Sequence, residues 1–117
     1  MHPKPGIYLI TPENINLDFF LHQLEEALST KCITYLQLRL KNCTDEFIIE
    51  SASALLKVTK NYKVPLIIND RPDIAKYIGG DGVHLGQNDG SIEKARNLLG
   101  RNSIIGVTCH DSIGLAC

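Results

Sequence analysis

In the run Tyr35-Leu36-Gln37-Leu38-Arg39-Leu40-Lys41 an amide and two cations alternate with leucines. Side chains along a strand point to opposite faces in turn, so Gln37, Arg39 and Lys41 share one face and Leu36, Leu38 and Leu40 the other. An amide donor and two cations converging at a strand end suit a phosphate or pyrophosphate, matching both its charge and its acceptor oxygens. The pattern equally fits an edge strand with a solvated face, where lysine is a common protective residue. The residues alone leave both readings open.

Two further polar clusters follow apolar runs. Asn69-Asp70-Arg71-Pro72 comes after Val64–Ile68, and His84-Leu85-Gly86-Gln87-Asn88-Asp89 after Gly82 and Val83. In parallel α/β folds the C-terminal ends of the strands form the functional rim. Asp70 could instead simply cap the helix that Pro72 opens, and Asp89 the next one. Together, however, two carboxylates from neighbouring loops beside an Arg/Lys-bearing strand are what Mg²⁺ with pyrophosphate requires. This hard ion takes one or two carboxylates, keeps waters and uses phosphate oxygens as further ligands. His84 reads as a hydrogen-bonded core histidine, with general base or metal ligand as the alternatives. Thr108 and His110, after a fifth apolar run, occupy the same rim and suit a substrate contact.

The intervening chain supplies a frame. Gly6–Thr11 is a β-rich run closed by Pro12. Leu17–Ser29 carries a helical stripe (Leu17, Phe20, Leu21, Leu24, Ala27, Leu28) behind the N-cap candidate Asn16. Ile33–Lys41 alternates strictly, and Thr44 or Asp45 starts a second helix striped by Ile48, Ala52, Leu55 and Leu56. Val64–Ile68 reads as a buried parallel strand. Pro72 opens a short helix that ends at Gly79-Gly80. Gly82–Leu85 is a fourth strand, Ser91 caps a helix that stops at Gly100, and Ser103–Val107 is a fifth strand. His110–Cys117 looks like a first helical turn. The order β-α-β-α-β-α-β-α-β implies an α/β protein with a parallel sheet, either doubly wound or a (β/α) barrel. Glycine-rich nucleotide signatures are absent, which weakens the doubly wound reading.

With 117 residues the chain suits one domain, residues 1–117. Its net charge of −1 argues against nucleic acid or an anionic membrane as partner. Apolar runs fall far short of the roughly 20 residues of a membrane span. No signal-peptide segment is evident at Met1–Gly6, so a soluble, cytoplasmic chain is expected. Cysteines 32, 43, 109 and 117 show no zinc spacing and are expected as free thiols, with Cys32 in the core.

The chain resembles the thiamine-phosphate synthase family of (β/α) barrel enzymes. The resemblance lies in Ile7–Thr11, Leu36–Lys41, Pro65–Arg71, Gly80–Asp89, Ala95–Gly100 and Ile104–His110, in one order over almost the whole chain. It implies that a pyrimidine methyl diphosphate loses pyrophosphate to the ring nitrogen of a thiazole phosphate, giving thiamine phosphate. By that analogy the stretch Gln37, Leu38, Arg39, Leu40 and Lys41 holds the diphosphate, with Arg39 and Lys41 offsetting its charge. Asn69 contacts the same substrate, Asp70 and Asp89 bind Mg²⁺, and Thr108 reaches the pyrimidine substrate. Thr108 stands where the family usually has serine, and Gly90 where an apolar residue is usual.

A full barrel takes about 250 residues, whereas this chain supplies five strands. The expectation is an incomplete TIM (β/α) barrel, the N-terminal portion, with the thiazole-phosphate loops lacking a counterpart. Its first and fifth strands would have unpaired edges, favouring self-association or a complementing C-terminal half. Within the superfamily a thiazole tautomerase is the alternative, with less need of the Mg²⁺ and diphosphate residues. A non-catalytic remnant or assembly partner is another.

Overall fold

Short apolar runs and amphipathic stripes alternate in the chain, and each folds as its pattern dictates. The computed structural model describes residues 7–86 and 89–107. In chain order it has β1 (Ile7–Ile10), α1 (Leu17–Ser29), β2 (Ile33–Leu38), α2 (Asp45–Asn61), β3 (Leu66–Asn69), α3 (Pro72–Ile78), β4 (Gly82–Leu85), α4 (Asp89–Leu99) and β5 (Ile104–Val107).

Local chemistry sets the helix ends. Asn16 Oδ1 accepts the Phe19 N–H at 3.1 Å, so the expected cap is real, and Thr44 Oγ1 accepts the Phe47 N–H at 3.1 Å, which makes Thr44 the cap and Asp45 the first helical residue of α2. Proline opens α3, and Gly79 closes it in the left-handed conformation at φ 75°. One start is corrected: α4 begins at Asp89, so Ser91 lies inside its first turn rather than capping it.

All four strand pairs are parallel, and the sheet order is β1-β2-β3-β4-β5. This sequential order has no reversal point, unlike a doubly wound sheet, and is that of a barrel wall. The edge-strand reading of Tyr35–Lys41 is overturned, because β2 lies between β1 and β3. β1 and β5 are the edges, as expected. The strict alternation from Ile33 also fails. Ile7 pairs with Ile33 but Tyr8 with Tyr35, which leaves Thr34 without a β1 partner in the register and turns Ile33 to the helix side.

Leu36, Leu38, Leu40, Leu66 and Ile68 pack against Leu24, Leu28, Ile48, Ala52, Leu55, Leu56 and Ile74 of α1, α2 and α3. Val83 and Leu85 pack with Ala95 of α4. The helices therefore lie on one face, and the alternate residues Tyr8, Tyr35, Gln37, Ile67, Asn69 and His84 belong to the other. On β1, Ile7, Tyr8 and Ile10 remain about half exposed. Cys32, expected in the core, is exposed, because it sits in the turn between α1 and β2, where its backbone carbonyl receives the Ile7 N–H.

Two buried hydroxyls on α2 differ in their partners. Thr59 donates to the Leu56 carbonyl at 3.1 Å, whereas Ser51 Oγ has no partner among the described residues. A buried hydroxyl without a partner costs about 1–3 kcal/mol. Ser51→Ala is therefore expected to stabilise the chain by about 1 kcal/mol, seen as a higher urea midpoint at an unchanged m-value. A lower midpoint would contradict it.

Candidate active site at the C-terminal rim of the sheet

β2 ends at Leu38, yet Arg39 and Lys41 continue its alternation because the loop after β1 holds them. The buried hydroxyl of Thr11 accepts the Arg39 N–H at 2.9 Å, and the Glu13 carbonyl accepts the Lys41 N–H at 3.0 Å. Gln37, only 3% exposed, donates from Nε2 to the Tyr8 hydroxyl at 3.2 Å. Tyr8 in turn lies against Tyr35, with ring centroids 5.6 Å apart. The side chains of Leu38 and Leu40 are buried on the helix side, so only their peptide groups face a ligand at this rim.

Each cation already has a carboxylate neighbour. Arg39 Nη1 lies 3.7 Å from Glu13 Oε2, and Lys41 Nζ lies 3.6 Å from Asp70 Oδ2. Both pairs are long and well exposed, so each is worth little in water and is readily exchanged for a stronger anion or cation.

Asp70 follows β3 with a left-handed backbone, φ 59°, which aspartate tolerates better than most residues. Its N–H donates to the His84 carbonyl at 2.8 Å, and its Oδ2 accepts from Asn69 Nδ2 at 3.4 Å. It does not cap α3. The N-cap is Arg71, which makes no side-chain capping bond. The alternative reading of Asp70 as a cap is thereby removed, and its exposed carboxylate is left facing Lys41. Asn69 pairs in register with His84. Burial pushes the His84 imidazole below its usual pKa of 6.5; the nearby Asp70 charge opposes this and Arg39 adds to it. Burial thus favours the neutral form of the imidazole. A Cβ on Gly106 would lie 2.8 Å from its Nδ1, so the glycine makes room for the ring.

Asp89 is the first residue of α4, directly beyond β4, so both aspartates follow neighbouring parallel strands at the same end. Thr108 and His110 lie outside the described residues. Among the described residues no three Asp, Glu, His or Cys side chains gather as a metal cage. Magnesium does not need one. An exposed Asp70 carboxylate with Lys41 beside it, and an acidic residue following the neighbouring strand at the same end, would suit an ion that completes its shell with water and phosphate oxygens.

A separate hollow of about 460 Å³ is lined by Lys31, Thr34, Asn61, Tyr62 and Lys63. It lies where α1 and α2 end, and helix C-termini disfavour an anion there. Glu13, Thr11 and Tyr8 were not singled out by type or spacing. They reach the site through the pairing of β1 with β2; Tyr8 and Thr11 lie within the Ile7–Thr11 stretch of the resemblance, but nothing in their type or spacing marks a role.

The fold and rim define a class: a parallel α/β chain of TIM-barrel type, with five strands of an incomplete barrel among the described residues and charged groups at the C-terminal ends of its strands. A family model described as thiamine monophosphate synthase matches residues 7–116, and the chain belongs to that family. It is 44% identical over 110 residues to a thiamine-phosphate synthase of Rhodospirillum centenum, covering 94% of this chain and 53% of that one. A Clostridium acetobutylicum thiamine-phosphate synthase is 47% identical over 105 residues, covering 89% of this chain and 49% of the other. Among solved structures, a thiamine phosphate pyrophosphorylase from Pyrococcus furiosus matches with a TM-score of 0.74 at 30% identity, over 91% of this chain and 50% of that one. The chain thus spans about half the length of the relatives it matches. Among the described residues no helix is long and apolar enough to cross a membrane.

Proposed function

We propose that this chain carries the pyrimidine-diphosphate side of a thiamine-phosphate synthase, a cytoplasmic transferase of thiamine biosynthesis. The whole enzyme would join hydroxymethylpyrimidine diphosphate to hydroxyethylthiazole phosphate, releasing pyrophosphate. The carrying observation is that Gln37, Arg39 and Lys41 lie in and just past the end of β2 while Asp70, 3.6 Å from Lys41, directly follows β3. A thiazole tautomerase has less need of that set, which favours the synthase.

Asp70 and Asp89 would hold Mg²⁺, which when bound supplies charge neutralisation on the diphosphate oxygens. Arg39 and Lys41 exchange Glu13 and Asp70 for diphosphate oxygens. As the carbon–oxygen bond to the leaving group breaks, negative charge grows on the pyrophosphate, and these fixed cations stabilise it more than the bound substrate. Gln37, locked by Tyr8, and Asn69 orient the substrate, and Thr108 reaches its pyrimidine.

The thiazole phosphate would be held by residues corresponding to the half of the relatives that this chain does not match. The same residues would cover Ile7, Tyr8 and Ile10 and pair the edges of β1 and β5, supplied by a complementing half or replaced by self-association. Calorimetric titration of the 117-residue chain with inorganic pyrophosphate, with and without Mg²⁺, tests the reading. Saturable, Mg²⁺-dependent binding is expected, without thiamine phosphate formation by the chain alone. No binding at millimolar pyrophosphate would overturn it.

A further inference from the structure

Arg71 sits next to Asp70 but turns away from it. Its guanidinium grips two carboxylates. Nη1 and Nη2 donate to the two oxygens of Asp45 at 2.7 and 3.0 Å, and Nε and Nη2 donate to the two oxygens of Asp73 at 3.1 and 2.9 Å. Asp45 is the first residue of α2, directly after the loop that bears Lys41, and Asp73 lies in the first turn of α3, just past Asp70. One side chain therefore ties the loop after β2 to the loop after β3. Across that same gap Lys41 and Asp70 stand 3.6 Å apart.

Isolated surface ion pairs contribute little, but bidentate arginine–carboxylate geometry within a network is the exception. Both carboxyls are held below the usual aspartate range, in each case chiefly by the hydrogen bonds from Arg71. Two features make the tie matter for the site. Lys41 lies beyond the end of β2, tied to the loop after β1 by one backbone hydrogen bond rather than by the strand ladder, and Asp70 holds a left-handed backbone that its surroundings must maintain.

We infer that Arg71 is a positioning residue, a buckle that sets the spacing of Lys41 and Asp70 without touching substrate. The inference rests on the proposed role of those two residues as the diphosphate and metal contacts. A lysine at position 71 would keep the charge but not the fork, so it cannot reproduce the buckle.

The test uses Arg71→Lys and Asp45→Asn in the full chain, with Glu25→Gln as control, because Glu25 accepts from the Tyr62 hydroxyl at the other end of α2 from Asp45. Amide hydrogen exchange reads the buckle without any ligand. The Lys41 and Asp70 amides are expected to exchange about tenfold faster in both variants, while those of Ile67 and Ile68 keep their wild-type rates. Affinity for Mn²⁺ with inorganic pyrophosphate should fall about tenfold in both variants and stay unchanged in the control. Wild-type exchange at Lys41 and Asp70 in both variants would overturn the inference, as would unchanged affinity in chains whose parent binds. A parent that binds no metal–pyrophosphate defeats the proposed function instead, and the exchange rates still decide whether the buckle exists.

Discussion

Asp70→Asn is expected to weaken Mg²⁺-dependent pyrophosphate binding about 100-fold, roughly 2.8 kcal/mol. Magnesium binds oxygen donors largely through charge and usually takes only one or two protein carboxylates, so losing one removes much of what the protein contributes. Asparagine keeps the shape and tolerates the φ of 59°, which separates the charge effect from backbone strain. The same change should act oppositely on pyrophosphate without metal. Lys41 loses the carboxylate 3.6 Å from its ammonium, so metal-free affinity should hold or rise about threefold. Calorimetry with and without Mg²⁺ reads both signs. Equal loss in the two conditions would mean that Asp70 serves the fold rather than the metal.

What could be read from the residues is what local chemistry decides. Asn16 and Thr44 cap helices, and Pro72 with Gly79 brackets another, because each effect acts within a few residues of its cause. Gln37, Arg39 and Lys41 could be placed on one face because strand alternation is equally local. The setting of that face could not. Whether β2 lies at an edge or in the middle depends on β1 and β3, and the register shift opposite Thr34 depends on how β1 docks. Glu13 is 26 residues from Arg39 in sequence but 3.7 Å away in space, and Asp45 is as far from Arg71 along the chain. The polar partners of the site come from neighbouring loops brought together by the sheet, so no spacing rule in one segment reveals them. Cys32 was misplaced for the converse reason. It lies in the turn between α1 and β2 and so belongs to the buried face of neither element.

Gly82→Ala should produce the largest loss of stability among these substitutions, about 3 kcal/mol, the upper range for inserting one carbon into a packed site. Gly82 is buried at the start of β4 and faces β5. A Cβ there would overlap the Ile104 carbonyl oxygen, and would lie 2.7 Å from that carbonyl carbon and 2.8 Å from the Ile104 Cβ. The obstacle is backbone, so no rotamer change can relieve it. Nor can Ile104 retreat freely, since its N–H donates to the Asp81 carbonyl at 2.9 Å and Asp81 itself receives the Leu66 N–H at 2.8 Å. The strain therefore falls on the β4–β5 pairing, and β5 should detach before β2 and β3 separate. Gly86 is the control: it is exposed and a Cβ there meets nothing within 4 Å, so Gly86→Ala should change stability by less than about 0.5 kcal/mol. Urea midpoints for the two variants, with amide exchange at Ile104 and Ile105 against Ile67 and Ile68, separate local detachment from global loss. A Gly82→Ala midpoint equal to that of Gly86→Ala would mean that β5 can shift without cost, and that this edge of the wall does not hold its end of the rim in place.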